Sequence, residues 1–138
     1  MTGQSLTDTG FMFAVLDESD ANHEVCASVY QNETNMLLPE VVLTELAYLI
    51  LRTGKYSALA EFLRYLASQE LPLVAAESED LERAAEILEQ YQDSKIDFVD
   101  SMIMAMAERL NITRILTIDR RDFGLFRPLH CEYFEIIP

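Results

Sequence analysis

Asp97-Phe98-Val99-Asp100-Ser101-Met102-Ile103-Met104-Ala105-Met106-Ala107 continues to Leu110, and after three residues comes Arg114-Ile115-Leu116-Thr117-Ile118-Asp119. The first stretch predicts a helix opened by Asp97, and the second a β-branched strand with an acid at its end. The same sense of chain recurs on either side. A strand near Ser5–Asp8 precedes a Thr9-Gly10 turn and the apolar helix Phe11–Leu16. Asp20 is expected to cap a helix running to about Tyr30, and Met36-Leu37-Leu38 reads as a short buried strand. Pro39 suits the first turn of a helix that ends at Thr53-Gly54, and residues 56–68 follow with Leu59, Phe62, Leu63 and Leu66 on one face. Pro72–Ala75 is a further strand, Ser78 caps the acidic helix Glu79–Gln92, and Tyr133–Ile137 closes the chain as a strand. Strands alternating with helices indicate an α/β fold with a mostly parallel sheet.

Composition narrows the class. The chain has 138 residues, half of them apolar, with 10 Lys and Arg against 24 Asp and Glu, for a formal charge of −14. That suits one domain over residues 1–138 and is too apolar for disorder. The longest charge-free run of strong hydrophobes, Leu46–Leu51, is far short of the roughly 20 residues of a membrane helix. Met1–Thr7 carries no cation before an apolar block, which is not the pattern of a secretory signal. Cys26 and Cys131 lack metal-type spacing and form no cystine framework, so a reduced cytoplasmic setting is expected. Zinc fingers, membrane proteins and cystine-rich secreted modules are excluded. Residues 1–51 hold eight acids and no Lys or Arg, while residues 93–127 hold six of the ten cations. An acidic chain repels nucleic acid on average, so binding it requires that local patch or bound cations.

Carboxylates carry the chemistry. Asp8 and Asp119 stand at the ends of expected strands, where open parallel sheets bind ligands. Each alone could simply end a strand with turn chemistry. Glu45 interrupts Val41–Leu51, which is otherwise apolar apart from Thr44 and Tyr48. A helix apolar nearly all round is mostly buried, and a carboxylate within it needs an Arg partner, a metal or a raised pKa. Asp97 and Asp100 form Asp-x-x-Asp at a helix start, where Asp97 serves as cap and Asp100 meets the helix dipole. The Met102, Met104, Met106 series reads as core filler, and His23 and His130 as surface histidines. No Gly-rich phosphate loop or Gly-x-Ser-x-Gly elbow is present, which leaves metal-assisted chemistry if the chain is an enzyme. Asp8-Thr9-Gly10 also matches an aspartic-protease signature, but that chemistry needs two such Asp on a β-rich scaffold. A phosphatase with Asp8 as nucleophile lacks the second nearby Asp.

Asp8-Thr9-Gly10, Glu45 in its apolar helix, Asp97-x-x-Asp100, and Thr117-x-Asp119-Arg120-Arg121-Asp122-Phe123 occur in that order. This series resembles the PIN domain, and within it the VapC-type ribonuclease toxins, over about Leu6 to Ile137. The resemblance implies a PIN-like three-layer fold, with a short-stranded, mostly parallel central sheet flanked by helices. It implies that Asp8, Glu45, Asp100 and Asp119 form an acidic cluster for Mg²⁺ or Mn²⁺, with Asp97 as a further candidate ligand. Thr9 and Thr117 would support the ligands or contact substrate, and Arg120, Arg121, Arg114 and Arg127 would hold RNA phosphates. The implied activity is hydrolysis of RNA phosphodiester bonds, leaving a 3′-hydroxyl and a 5′-phosphate. The implied partners are RNA, an antitoxin whose tail covers the active site, and a second copy of the chain, with no membrane. Gly10 and Thr7 depart from the family's usual Asn and aliphatic residue. A second reading is a PIN-like module of little or no activity that binds a basic partner peptide through its acidic half.

Overall fold

The order of hydrophobic and polar segments folds into five short parallel strands joined by helices. The structure is a computed structural model and describes residues 3–138. In chain order it comprises β1 (Ser5–Thr7), α1 (Thr9–Leu16), α2 (His23–Asn32), β2 (Met36–Pro39), α3 (Glu40–Arg52), α4 (Tyr56–Ala67) and β3 (Leu73–Val74). Then follow α5 (Ser78–Gln90), a 3-10 turn at Gln92–Ser94, α6 (Phe98–Leu110), β4 (Arg114–Leu116), α7 (Arg120–Leu125) and β5 (Glu135–Ile137). The strand order is β3-β2-β1-β4-β5 and every pairing is parallel, as expected for an α/β chain.

The register aligns Thr7 with Leu116, so β1 and β4 end side by side. From β1 the chain moves through helices to β2 on one side, while β4 leads through α7 to β5 on the other. The connections diverge there and leave a crevice beyond the two carboxyl ends. β1 is buried along its whole length, Ser5 and Thr7 included, because helices cover both faces of a parallel sheet. Helix α6 is buried without a break from Ser101 to Ala107, and Met102, Met104 and Met106 fill the core as expected. Two ion pairs fasten α6 to α5: Arg83 Nε to Glu108 at 2.7 Å, and Arg109 Nε to the fully buried Asp80 carboxylate at 2.9 Å. Among the described residues no helix is long and apolar enough to cross a membrane.

Several local expectations are corrected. Thr9 and Gly10 form the first turn of α1 and not a separate turn, because Asp8 accepts the Phe11 N–H as a helix cap. Asp20 bonds the Asn22 N–H at 2.8 Å and shapes the preceding loop, so α2 starts three residues later, at His23. Pro39 ends β2 and caps α3 from outside. Glu77, one residue before Ser78, is the α5 cap, and Asp80 accepts its N–H at 2.9 Å. Strand β4 stops at Leu116, because Thr117 and Ile118 lead into the cap of α7. Helix α3 is not buried all round. Val42, Leu46 and Ile50 make one inward stripe at four-residue spacing, while Tyr48 is 62% exposed beneath Arg52. On α4, Leu59, Phe62 and Leu66 face inward and Leu63 faces solvent.

Candidate active site

Thr117 is the hinge of the crevice. Its hydroxyl donates a short hydrogen bond to Asp8 Oδ2 and accepts the Asp119 N–H at 2.9 Å. The end of β4 therefore positions the acid that follows β1. Asp8 Oδ1 accepts the Phe11 N–H at 2.9 Å, so both oxygens are engaged. Burial pushes the Asp8 carboxyl up to about 6, against the lowering effect of the Thr117 and Phe11 bonds. The negative charges of Asp119 and Glu45 push the same way as burial, which places both acids close by.

Two further acids come from a repeated capping geometry. Asp97 Oδ1 accepts the Asp100 N–H at 2.9 Å at the start of α6, and Asp119 Oδ1 accepts the Asp122 N–H at 3.0 Å at the start of α7. Each Asp-x-x-Asp thus presents a carboxylate from the first turn of its helix. Burial, followed by the charges of Asp97, Asp8, Asp119 and Asp122, raises the Asp100 carboxyl to about 8. Burial and Asp119 likewise raise Asp122, against the lowering effect of Arg121. One oxygen from each of Asp100, Asp119 and Asp122 lies within 4.8 Å of the other two.

The expected set and the observed one overlap without coinciding. Asp100 and Asp119 belong to the close triad, whereas Asp8 stands beside it with both oxygens engaged. Glu45 Oε1 accepts a hydrogen bond from the Thr9 hydroxyl at 2.5 Å, so its partner is a threonine and not an arginine. Asp97 is exposed and lies outside the triad. Thr9 and Thr117 spend their hydroxyls on Glu45 and Asp8, which makes them supports of the acids. In the sequence Asp122 has a place in the Thr117–Phe123 series and no role of its own. Its signal was the three-residue spacing after Asp119, identical to that of Asp97 and Asp100.

The arginines divide. Arg120 and Arg121 start α7 next to Asp119 and are exposed; Arg120 bonds the Pro138 carbonyl, and Arg121 bonds Asp122 and the Ser94 carbonyl. Arg127 folds onto the carbonyl of Gly124 at 2.7 Å. Arg114 is not brought to the site. It begins β4, at the opposite end of the strand, and its guanidinium is held by Glu33 and Glu135 at 2.7 Å each. The histidines are not surface groups either. Both are half-buried, with His23 Nδ1 at 2.8 Å from the Ala14 carbonyl and His130 Nε2 at 2.7 Å from the Ile112 carbonyl. Packing against backbone carbonyls explains their placement.

The donor set fits a hard divalent cation, since all three converging groups are carboxylates. Neighbouring oxygens on one octahedral Mg²⁺ stand about 3 Å apart, so three carboxylates whose oxygens lie within 4.8 Å of one another close on an ion with side-chain movements on the order of 1–2 Å. The raised Asp8 and Asp100 carboxyls report the like-charge crowding and burial that such an ion relieves.

Comparison with known proteins agrees with this geometry. The family model for the PIN domain matches residues 5–126. Ribonuclease VapC26 of Mycobacterium tuberculosis is 30% identical over 134 residues, 96% of this chain and 99% of the relative. The crystal structure of VapC20 of Mycobacterium tuberculosis, a sarcin-ricin-loop-cleaving toxin, superposes with a TM-score of 0.82 at 20% identity, covering 93% of this chain and 98% of that one. VapBC2 of Rickettsia felis, solved bound to a promoter DNA fragment, gives 0.69 at 15% identity with 96% of each chain covered. A strand-end crevice lined with carboxylates, a family match over most of the chain and a full-length relative lead to one assignment: this chain belongs to the PIN domain family, with VapC ribonucleases among its relatives.

Proposed function

We propose that this chain is an endoribonuclease that hydrolyses RNA phosphodiester bonds with Mg²⁺ or Mn²⁺ and acts as the toxin of a toxin–antitoxin pair. The observation that carries the reading is the convergence of Asp100, Asp119 and Asp122 beside the buried Asp8, in a chain 30% identical to a VapC ribonuclease. Asp100 and Asp119 would hold the cation with Asp8 beside them. When bound, the ion offsets charge on the phosphate and acidifies water.

The chain's own groups do the rest. Thr117 and the Phe11 N–H hold the Asp8 carboxylate in one orientation. Thr9 turns Glu45 so that Oε1 is engaged, and Oε2 is the acceptor for the proton of the attacking water. Water attacks phosphorus in line as the bond to the 3′ oxygen breaks. The products are a 3′-hydroxyl, which takes its proton from solvent, and a 5′-phosphate. Arg120 and Arg121, exposed beside Asp119, contact the flanking phosphates. They offset locally the repulsion that a net charge of −14 imposes on RNA.

An antitoxin partner is supported by a cleft of about 480 Å³ between α1, α2, α3 and α4, lined by Met12, Phe13, Leu16, Ile50, Phe62 and Tyr65. Asp17, paired with Lys55 at 3.6 Å, and Glu61 also line this cleft, whose net negative charge favours an apolar segment with a basic flank. A second copy of the chain would use the exposed Tyr48, Tyr56 and Leu63 of α3 and α4. The decisive experiment is cleavage of a structured RNA with Mn²⁺ by the wild type and by Asp8→Asn. Cleavage is expected to fall by at least about 100-fold in the variant. Equal rates would reject the nuclease and leave the module that binds a basic peptide.

A further inference from the structure

Six of the seven phenylalanines are buried or half-buried, whereas Phe98 is 51% exposed. It is the first residue of α6 and lies inside the Asp97-x-x-Asp100 spacing, two residues from Asp100. We propose that the rim formed by residues 94–98 binds one unpaired nucleotide of the RNA, its base stacked on the Phe98 ring and its phosphate on the Lys95 ammonium. This inference rests on the nuclease reading and narrows its substrate to single-stranded or looped RNA.

Three observations carry it. First, folding does not call for an aromatic ring at this position. Tyr91, Phe123, Phe126 and Phe134 pack ring against ring, while half of the Phe98 surface lies in water. The start of α6 is held by the Asp97 cap and by the Ser101 hydroxyl, which donates to the Phe98 carbonyl at 2.8 Å, and neither contact uses the ring. Second, the rim is continuous with the crevice. Arg121 Nη2 donates to the Ser94 carbonyl at 3.0 Å, and its neighbour Asp122 lies in the triad with Asp100. Residues 94–98 therefore border the acids, with Ser94 against the start of α7 and Phe98 opening α6. Ile118, beside Asp119, is also 40% exposed, so apolar surface adjoins two of the three acids. Third, the charge balance favours this mode of binding. The chain carries −14, and Arg83, Arg109 and Arg114 are held in internal ion pairs, which leaves few cations for phosphate. Base stacking owes nothing to net charge and accepts any base, because every base has a π face. A paired base hides that face within its helix, so the ring takes unpaired nucleotides. Lys95, exposed on the same rim, supplies the cation for the phosphate.

The test is fluorescence anisotropy of a labelled single-stranded decaribonucleotide, and of the same strand in a duplex, with the full chain in chelator so that neither is cut. Phe98→Ala is expected to weaken single-strand binding at least about fivefold, by the same factor at low and high salt, and to leave duplex binding within about twofold. Phe98→Trp keeps a π face and is expected to bind as wild type does. Phe98→Leu is apolar without one and is expected to lose as much as Phe98→Ala. Lys95→Gln is expected to flatten the salt dependence, lowering the slope of log affinity against log salt by about 0.7. Single-strand affinity of Phe98→Ala within about twofold of wild type overturns the proposal and leaves the ring to an apolar residue of a protein partner. An equal loss on the duplex, wild-type affinity in Phe98→Leu or an unchanged slope in Lys95→Gln also overturns it. Should Phe98→Ala fail to fold, Phe98→Leu carries the test. Cleavage with Mn²⁺ separates the two levels. If wild type cuts RNA and Phe98→Ala cuts it with the same kcat/KM, only this inference falls. If binding depends on Phe98 but wild type does not cut, the nuclease reading falls and the nucleotide site stands. If wild type neither cuts nor binds the single strand, both fall.

Discussion

Replacing Asp100 by Asn is expected to stabilise the metal-free protein while abolishing its response to divalent ions. The Asp100 carboxyl is raised from 3.8 to about 8, first by burial and then by four neighbouring acids. At pH 7 it is therefore protonated in the folded chain and ionised in the unfolded one. The difference between pH 7 and 3.8 is about 3 units, which at about 1.4 kcal/mol per unit costs the fold about 4 kcal/mol. Asn has no such ionisation in the unfolded state, so Asp100→Asn recovers up to about 4 kcal/mol, roughly 14 °C in Tm for a chain of 138 residues. The sign fixes the pH signature. A carboxyl with a raised folded pKa loses stability as pH climbs from about 4 to about 8, because the folded state keeps a proton that the unfolded state has released. The advantage of the variant should accordingly shrink from about 4 kcal/mol at pH 7 to about 2 at pH 5. Thermal denaturation in chelator at both pH values measures it. Adding Mn²⁺ at 100 times its Kd should raise wild-type stability by about 2.7 kcal/mol and leave the variant unmoved. A variant no more stable than wild type at pH 7 without metal, or an advantage independent of pH, would refute the crowding argument.

Two further outcomes are expected. Thr117→Val removes a hydrogen bond to the charged form of Asp8, worth about 1.5 kcal/mol, and so lifts its carboxyl about one unit above its present value of about 6. Mn²⁺ affinity should fall roughly fivefold at pH 6 and recover above pH 8, and calorimetric titration at both pH values checks this. Arg114→Ala should leave RNA affinity unchanged, because this guanidinium is held by Glu33 and Glu135 at the far end of β4. It should lower stability by about 1–3 kcal/mol, because Glu33, whose side chain is only 9% exposed, loses its partner. Filter binding and chemical denaturation separate the two effects.

The alternation of strands and helices was legible because each element is set by local periodicity and punctuation, as Asp97 opening α6 and Gly54 following α3 illustrate. Element starts were less so. At Thr9, His23 and Ser78 the first residue depends on which nearby acid captures which N–H, a choice of one or two residues that composition does not encode. The burial of α3 was overestimated because apolar residues on a helix do not all face inward. Tyr48 and Leu49 have similar polarity in a pattern, but only the neighbours of α3 determine that Tyr48 lies in solvent.

For the site, residue types and spacing were enough to single out Asp8, Glu45, Asp100 and Asp119 as unusual acids and to tie them to one family's order of motifs. Their division of labour depends on contacts between segments up to 109 residues apart, such as Thr117 to Asp8. Those contacts separate the tethered Asp8 and Glu45 from the converging Asp100 and Asp119 and bring in Asp122 as the third carboxylate. They also hold Arg114 with Glu33 and Glu135 at the end of β4 opposite the acids. Helical and strand periods act over a few residues, so they are written locally. Which side chains meet across the crevice is set by strand order and packing, and these exist only once the chain has closed on itself.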